Sequence, residues 1–159
     1  MRRFLILAVL AVSGALLVPS VASAAFKFEG RTSQCPPELG GCYTVNILLP
    51  SNLGKVSRFT IFWEAPCNSG AKITNANTVA TGVPLSRRLK FNDSGTYSVT
   101  LDAARGLSGN VSATLSGKFR RSANGSGAFN ASVAVVNAAG QQVDQCDTGQ
   151  VTWRVKIAG

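Results

Sequence analysis

The chain has 159 residues, a formal charge of +9, four cysteines and no histidine. That length suits one well-cored domain rather than two, and 45% apolar against 14% charged residues excludes wholesale disorder. Without histidine, every mechanism that needs an imidazole is excluded, and with it most zinc chemistry.

In chain order, Arg2 and Arg3 lead into an apolar run from Phe4 to Val18, which Pro19 breaks and Ala22-Ser23-Ala24 follows. A positive start, an apolar middle and a small-x-small ending are the layout of a secretory signal peptide, with cleavage after Ala24. The run of 15 residues falls short of the roughly 20 that a spanning helix needs. The arginines lack twin-arginine spacing and no cysteine follows closely, so general secretion without a lipid anchor is expected. Loss of residues 1–24 removes two of sixteen cations and none of the seven acids, leaving 135 residues and a charge of +7. No later apolar run is long enough to span a bilayer. A basic, soluble, secreted or extracytoplasmic protein is therefore expected.

Beyond Ala24 the apolar residues alternate with period two, the mark of half-buried antiparallel strands. After Phe26 to Arg31 come Tyr43, Val45, Ile47 and Leu49, then Phe59, Ile61, Trp63, Ala65 and Cys67. A weaker piece spans Lys72 to Leu85, within which the polar Asn75 to Pro84 stretch reads as a long loop. Tyr97, Val99 and Leu101 follow, then Val111, Ala113, Leu115 and Phe119, then Phe129, Ala131, Val133 and Val135. The last run is the cleanest, with Val151, Trp153, Val155 and Ile157 set against Gln150, Thr152, Arg154 and Lys156. Turn signals stand at Ser51–Gly54, Asp93–Gly95, Asn124–Gly127 and Asn137–Gly140. About eight strands in one domain, residues 25–159, predict an all-β antiparallel two-sheet β-sandwich, with a β-barrel as the alternative. Most aromatic residues fall on the apolar phase and are assigned to the core; Phe62 and Phe91 are the exceptions.

All four cysteines follow the signal segment, and an even count in an exported chain argues for two disulfides. Cys35 and Cys42 enclose a short Pro-containing loop, so local pairing has the least closure cost, which leaves Cys67 for Cys146. The other two connectivities stay open at this point.

Little catalytic chemistry is legible. Ser69-Gly70-Ala71-Lys72 has Ser-x-x-Lys spacing, but it lies in a Gly-containing turn and lacks the accompanying motifs. The acids are scattered, and Asp144-x-x-Asp147 is too sparse for a calcium loop. No catalytic, metal or cofactor residue is expected. The basic residues are more suggestive. Arg87-Arg88-Leu89-Lys90 and Lys118-Phe119-Arg120-Arg121 form two clusters, an anion-binding patch if both reach one sheet edge. Solubility and edge protection are the bland alternative.

Cys146-Asp147-Thr148-Gly149-Gln150-Val151-Thr152-Trp153 resembles the ending of small exported β-rich bacterial proteins with no assigned function. Gly117-Lys118-Phe119 followed by Gly127-Ala128-Phe129 is similar to their paired Gly-x-Phe strands. The resemblance covers roughly the last 45 residues of the chain; it implies a β-sandwich and supplies no activity. Three functions compete on the residues alone. The first is a non-enzymatic surface binder of an anionic envelope polymer or protein, without specific nucleic-acid recognition. A secreted peptidase inhibitor presenting the Cys35–Cys42 loop is the second. The third is a carboxylate-based hydrolase.

Overall fold

Alternation of apolar and polar side chains lets a strand bury one face and wet the other. In a computed structural model, which describes residues 25–120 and 123–158, this pattern yields nine strands and one 3-10 turn, Pro37–Leu39. The expected signal segment and Arg121 lie outside the described residues. The strands are β1 (Ala25–Thr32), β2 (Thr44–Pro50), β3 (Lys55–Pro66), β4 (Lys72–Pro84) and β5 (Lys90–Asp102). They continue with β6 (Leu107–Arg120), β7 (Asn124–Val136), β8 (Gln142–Asp147) and β9 (Val151–Ile157). Among the described residues, no helix is long and apolar enough to cross a membrane.

All pairings are antiparallel, in the order β4-β3-β2-β1-β9-β7-β6-β5, with β8 also on β7. β8 and β9 share one edge of β7, where Ser132 faces Asp147 and Phe129 faces Val151. Chain order and spatial order therefore agree all the way round, as in an up-and-down barrel. Of the strands consecutive in sequence, β8 and β9 do not pair with each other because both lie on β7, and β4 and β5 do not pair, which leaves the ring open between them. The fold is all-β as expected, and of the two architectures it takes the barrel form, open along one seam. Two separate sheets are not formed because β9 bridges them: Lys156 pairs with Glu29 of β1 and with Asn124 of β7.

Inward side chains fill the interior. Phe28, Phe119, Phe91, Phe59 and Trp153 form a chain of ring contacts with neighbouring centroids 5.1 to 6.2 Å apart. Such contacts stabilise beyond simple area burial. Phe91 corrects the sequence reading: it is 2% exposed and belongs to the core. It sits opposite Gly117, whose missing side chain leaves room for its ring.

Three loop expectations also change. Asn75–Pro84 is strand, paired to β3 from Ala76 opposite Trp63 to Pro84 opposite Lys55. Its inward residues Ala76, Thr78 and Ala80 are small or polar because they border the open seam, so no apolar stripe marks them. Asp93-Ser94-Gly95 lies inside β5, held by backbone pairing to Leu115, Thr114 and Ala113. Asn124–Gly127 opens β7 instead of turning, and the positive φ falls on Ala123, at 63°. The glycines there serve packing: Gly127 faces Gly117 across the ladder, and the Trp153 indole lies over both. That contact gives the paired Gly-x-Phe segments a physical reason.

Candidate functional site

Outward-facing residues of paired strands line up in rungs perpendicular to the strands. One rung runs Arg31, Arg154, Ser126, Lys118, Lys90 across β1, β9, β7, β6 and β5. The next runs Glu29, Lys156, Asn124, Arg120. Adjacent strands lie roughly 4.8 Å apart and alternate residues roughly 6.7 Å apart. Arg154, Lys118, Lys156 and Arg120 thus frame a patch of roughly 10 by 7 Å with Ser126 and Asn124 at its centre. A surface groove of about 820 Å³ lies between these corners.

The charges on this face are unopposed. The one acid, Glu29, is taken by Lys27 at 2.5 Å. Arg31 donates to the Cys42 carbonyl at 3.2 Å. Arg154, Lys118, Arg120, Lys156 and Lys90 form no ion pair with any described residue. No aromatic ring lines the groove.

The two sequence clusters do meet. Lys90 pairs directly with Lys118, and Phe119 N donates to Leu89 O at 3.0 Å. Arg87 and Arg88 sit in the exposed turn before Lys90, closed by Leu89 N donating to Ser86 O at 2.8 Å. Sequence reasoning missed Arg31, Arg154 and Lys156. Each is an isolated cation on an outward phase, and only the cross-strand register brings them beside Lys118 and Arg120.

Both disulfides are present as expected, Cys35–Cys42 and Cys67–Cys146. The Cys35–Cys42 loop is clamped to β3 by Gln34, whose Nε2 donates to Glu64 O at 2.8 Å and whose Oε1 accepts from Glu64 N at 3.0 Å. Lys72 Nζ lies 3.1 Å from Glu64 and 3.7 Å from Glu38, and Tyr43 donates to Glu64 at 3.3 Å. The hydrogen bond to Glu64 pushes the Lys72 pKa up, while burial pushes that of Tyr43 up. The two acids that converge are thus bridged by a lysine. The loop itself folds as a 3-10 turn with Leu39 exposed.

The Ser-x-x-Lys spacing assembles no dyad. Ser69 Oγ donates to Asp144, while Lys72 is held by Glu64 and Glu38. Asp144 also accepts from Ser69 N and Gln145 N, whereas Asp147 accepts from Gly149 N at 2.7 Å. Each acid serves its own turn. Cys67 and Cys146 lie near Asp144 but are sulfur-bonded to one another, so they offer no thiolate to a metal.

The hydrogen bond from Ser69, more than any other cause, holds Asp144 below its usual 3.8. A carboxylate with a depressed folded pKa contributes stability above its unfolded pKa and loses it as pH falls through the folded value. Asp144→Asn should therefore flatten the acid limb of a stability–pH profile measured by chemical denaturation. An acid limb as steep as in the parent would count against this role.

No family model matches the chain, and neither a curated protein nor a solved structure is similar enough to register as a match.

Proposed function

We propose that the protein is an exported, non-enzymatic binding module that uses the two-rung basic face to hold an anionic partner at the cell envelope. The observation that carries this is the set of cations on adjacent rungs that form no ion pair with any described acid, the one neighbouring acid, Glu29, being held by Lys27. Like charges at such close spacing repel, and an anionic ligand relieves that repulsion while releasing counterions. The ring-free groove disfavours partners held by stacking, such as single-stranded nucleic acid. The signal-peptide layout and two disulfides fit an oxidising compartment. Engagement of Glu38, Glu64, Asp144 and Asp147 in ion pairs and turns supports a role without carboxylate catalysis.

The test is retention on immobilised polyphosphate across a salt series. Lys118→Gln with Arg154→Gln should reduce the slope of log affinity against log salt by about two. Lys55→Gln with Arg58→Gln, the same charge change on exposed β3 positions, is the control. Equal shifts in both pairs would leave only net charge and remove the patch.

A second reading, the peptidase inhibitor, has one observation in its favour: Leu39 is 46% exposed in a disulfide-tied turn. A 3-10 turn does not offer the extended backbone that a peptidase cleft pairs with, so the basic face leads.

A further inference from the structure

The open seam between β4 and β5 has a chemistry unlike that of the basic face. On β5 the inward phase is Phe91, Asp93, Gly95, Tyr97 and Val99, because Asp93 pairs with inward Leu115 and Gly95 with inward Ala113. Asp93 therefore points its carboxylate into the barrel side, half-buried. That carboxylate has no hydrogen bond and no ion pair with any described residue. Across the seam β4 lines the cleft from Asn77 to Ala80 with Thr78 and Ala80 on its inward phase, and Gly95 leaves open space where a side chain would stand. The result is a cleft of about 490 Å³ whose inward walls include Leu115, Ala113 and Phe129. That is within the size range of small-molecule sites, roughly 300–1,000 Å³.

The cleft is compact because a hydrogen-bond chain crosses the seam beside it. Trp63 Nε1 donates to Thr78 Oγ1 at 3.0 Å, Thr78 and Tyr97 hydroxyls meet at 2.6 Å, and Tyr97 donates to Asn77 O at 3.2 Å. This bridge separates the cleft from a second one lined by Lys72, Asn75, Leu101 and Val133, so an extended strand cannot run the length of the seam. An apolar cleft with one unpaired carboxylate selects for a body that is apolar and a head that is cationic.

We propose that this cleft binds a small organic cation, an ammonium or guanidinium on an apolar body, with Asp93 pairing the head and Phe129, Leu115 and Ala113 receiving the body. The Asn77 carbonyl and the Tyr97 hydroxyl, hydrogen-bonded to each other, line the same cleft. The site is independent of the basic face, and neither reading depends on the other.

Phenethylammonium is the probe, with phenethyl alcohol as its uncharged counterpart, both titrated into the intact protein by calorimetry. Phenethylammonium should bind saturably, and the alcohol more weakly. Asp93→Asn should lower phenethylammonium affinity by about 10- to 100-fold, the loss expected for a charge-assisted hydrogen bond. Gly95→Leu, at a position with nothing within 4 Å of an added Cβ, should abolish binding while the protein stays folded. Amide shifts in the unaltered protein give a reading that needs no variant. Shifts gathered at Asn77–Ala80 and Asp93–Val99 support the site. Equal binding of the alcohol, affinity unmoved by Asp93→Asn, or shifts elsewhere or absent would overturn it.

Discussion

Gly127→Ala should cost about 3 kcal/mol or more, a loss large for a single methyl group. A Cβ built on Gly127 lies within 2.0 Å of the Ser116 carbonyl oxygen, 2.4 Å of the Trp153 indole and 2.7 Å of Gly117 Cα. Two of those three neighbours are backbone, so no rotamer change relieves the contact. β6 and β7 must separate locally, and the strain falls on their continuous ladder from Ser108 opposite Val136 to Arg120 opposite Asn124. Gly95→Ala, the same change on β5, is the comparison. Its Cβ meets nothing within 4 Å, and removal of a strand glycine lowers the entropy lost on folding. It should be neutral or stabilising by up to about 1 kcal/mol. Chemical denaturation of the two variants reads both signs in one experiment. Similar midpoints would mean that the Gly117–Gly127 packing under Trp153 tolerates a methyl group.

That pair of glycines also marks what the sequence could and could not reveal. Alternation at Val151, Trp153 and Val155 made an inward-facing strand readable from the residues alone, since period two follows from local backbone geometry. The disulfide pairing was readable for a similar reason, because closure cost depends on sequence separation. Strand partnership is a different matter. Nothing local to Lys156 states that Glu29 lies on one side and Asn124 on the other, and that double pairing makes a barrel of what the pattern suggested first as a two-sheet sandwich. The basic face was half legible for this reason. Lys90 and Lys118 stood in visible clusters, while Arg31 and Arg154 became neighbours only through register. The seam was illegible altogether. Asp-Ser-Gly at 93–95 has the composition of a turn, yet backbone pairing with Thr114 and its neighbours keeps it extended. Residues that look like punctuation here are the ones that leave the cleft open.

Loss of the Cys67–Cys146 disulfide should be the most damaging change short of the core. The bond spans 79 residues, and loop-closure entropy assigns it about 4.5 kcal/mol against about 2.5 kcal/mol for Cys35–Cys42, both as upper values. Structure adds a local reason. β8 is paired along its length only to β7; toward β3 it is held by the bridge between Cys67 and Cys146 and by Asn68 N donating to Gln145 O at 2.9 Å. Cys146 is fully buried, so its sulfur also fills core volume. Cys67→Ala with Cys146→Ala should therefore lower stability by more than Cys35→Ala with Cys42→Ala, with a gap of about 2 kcal/mol in denaturant titrations. Hydrogen exchange should locate the damage: amides of Gln142–Asp147 should lose protection before those of β9, which keeps pairing on both edges. Equal losses from the two double variants would mean that the long loop is already restrained in the unfolded chain. Uniform loss of protection would mean instead that β8 does not depend on its link to β3, because it would then open only with the whole barrel.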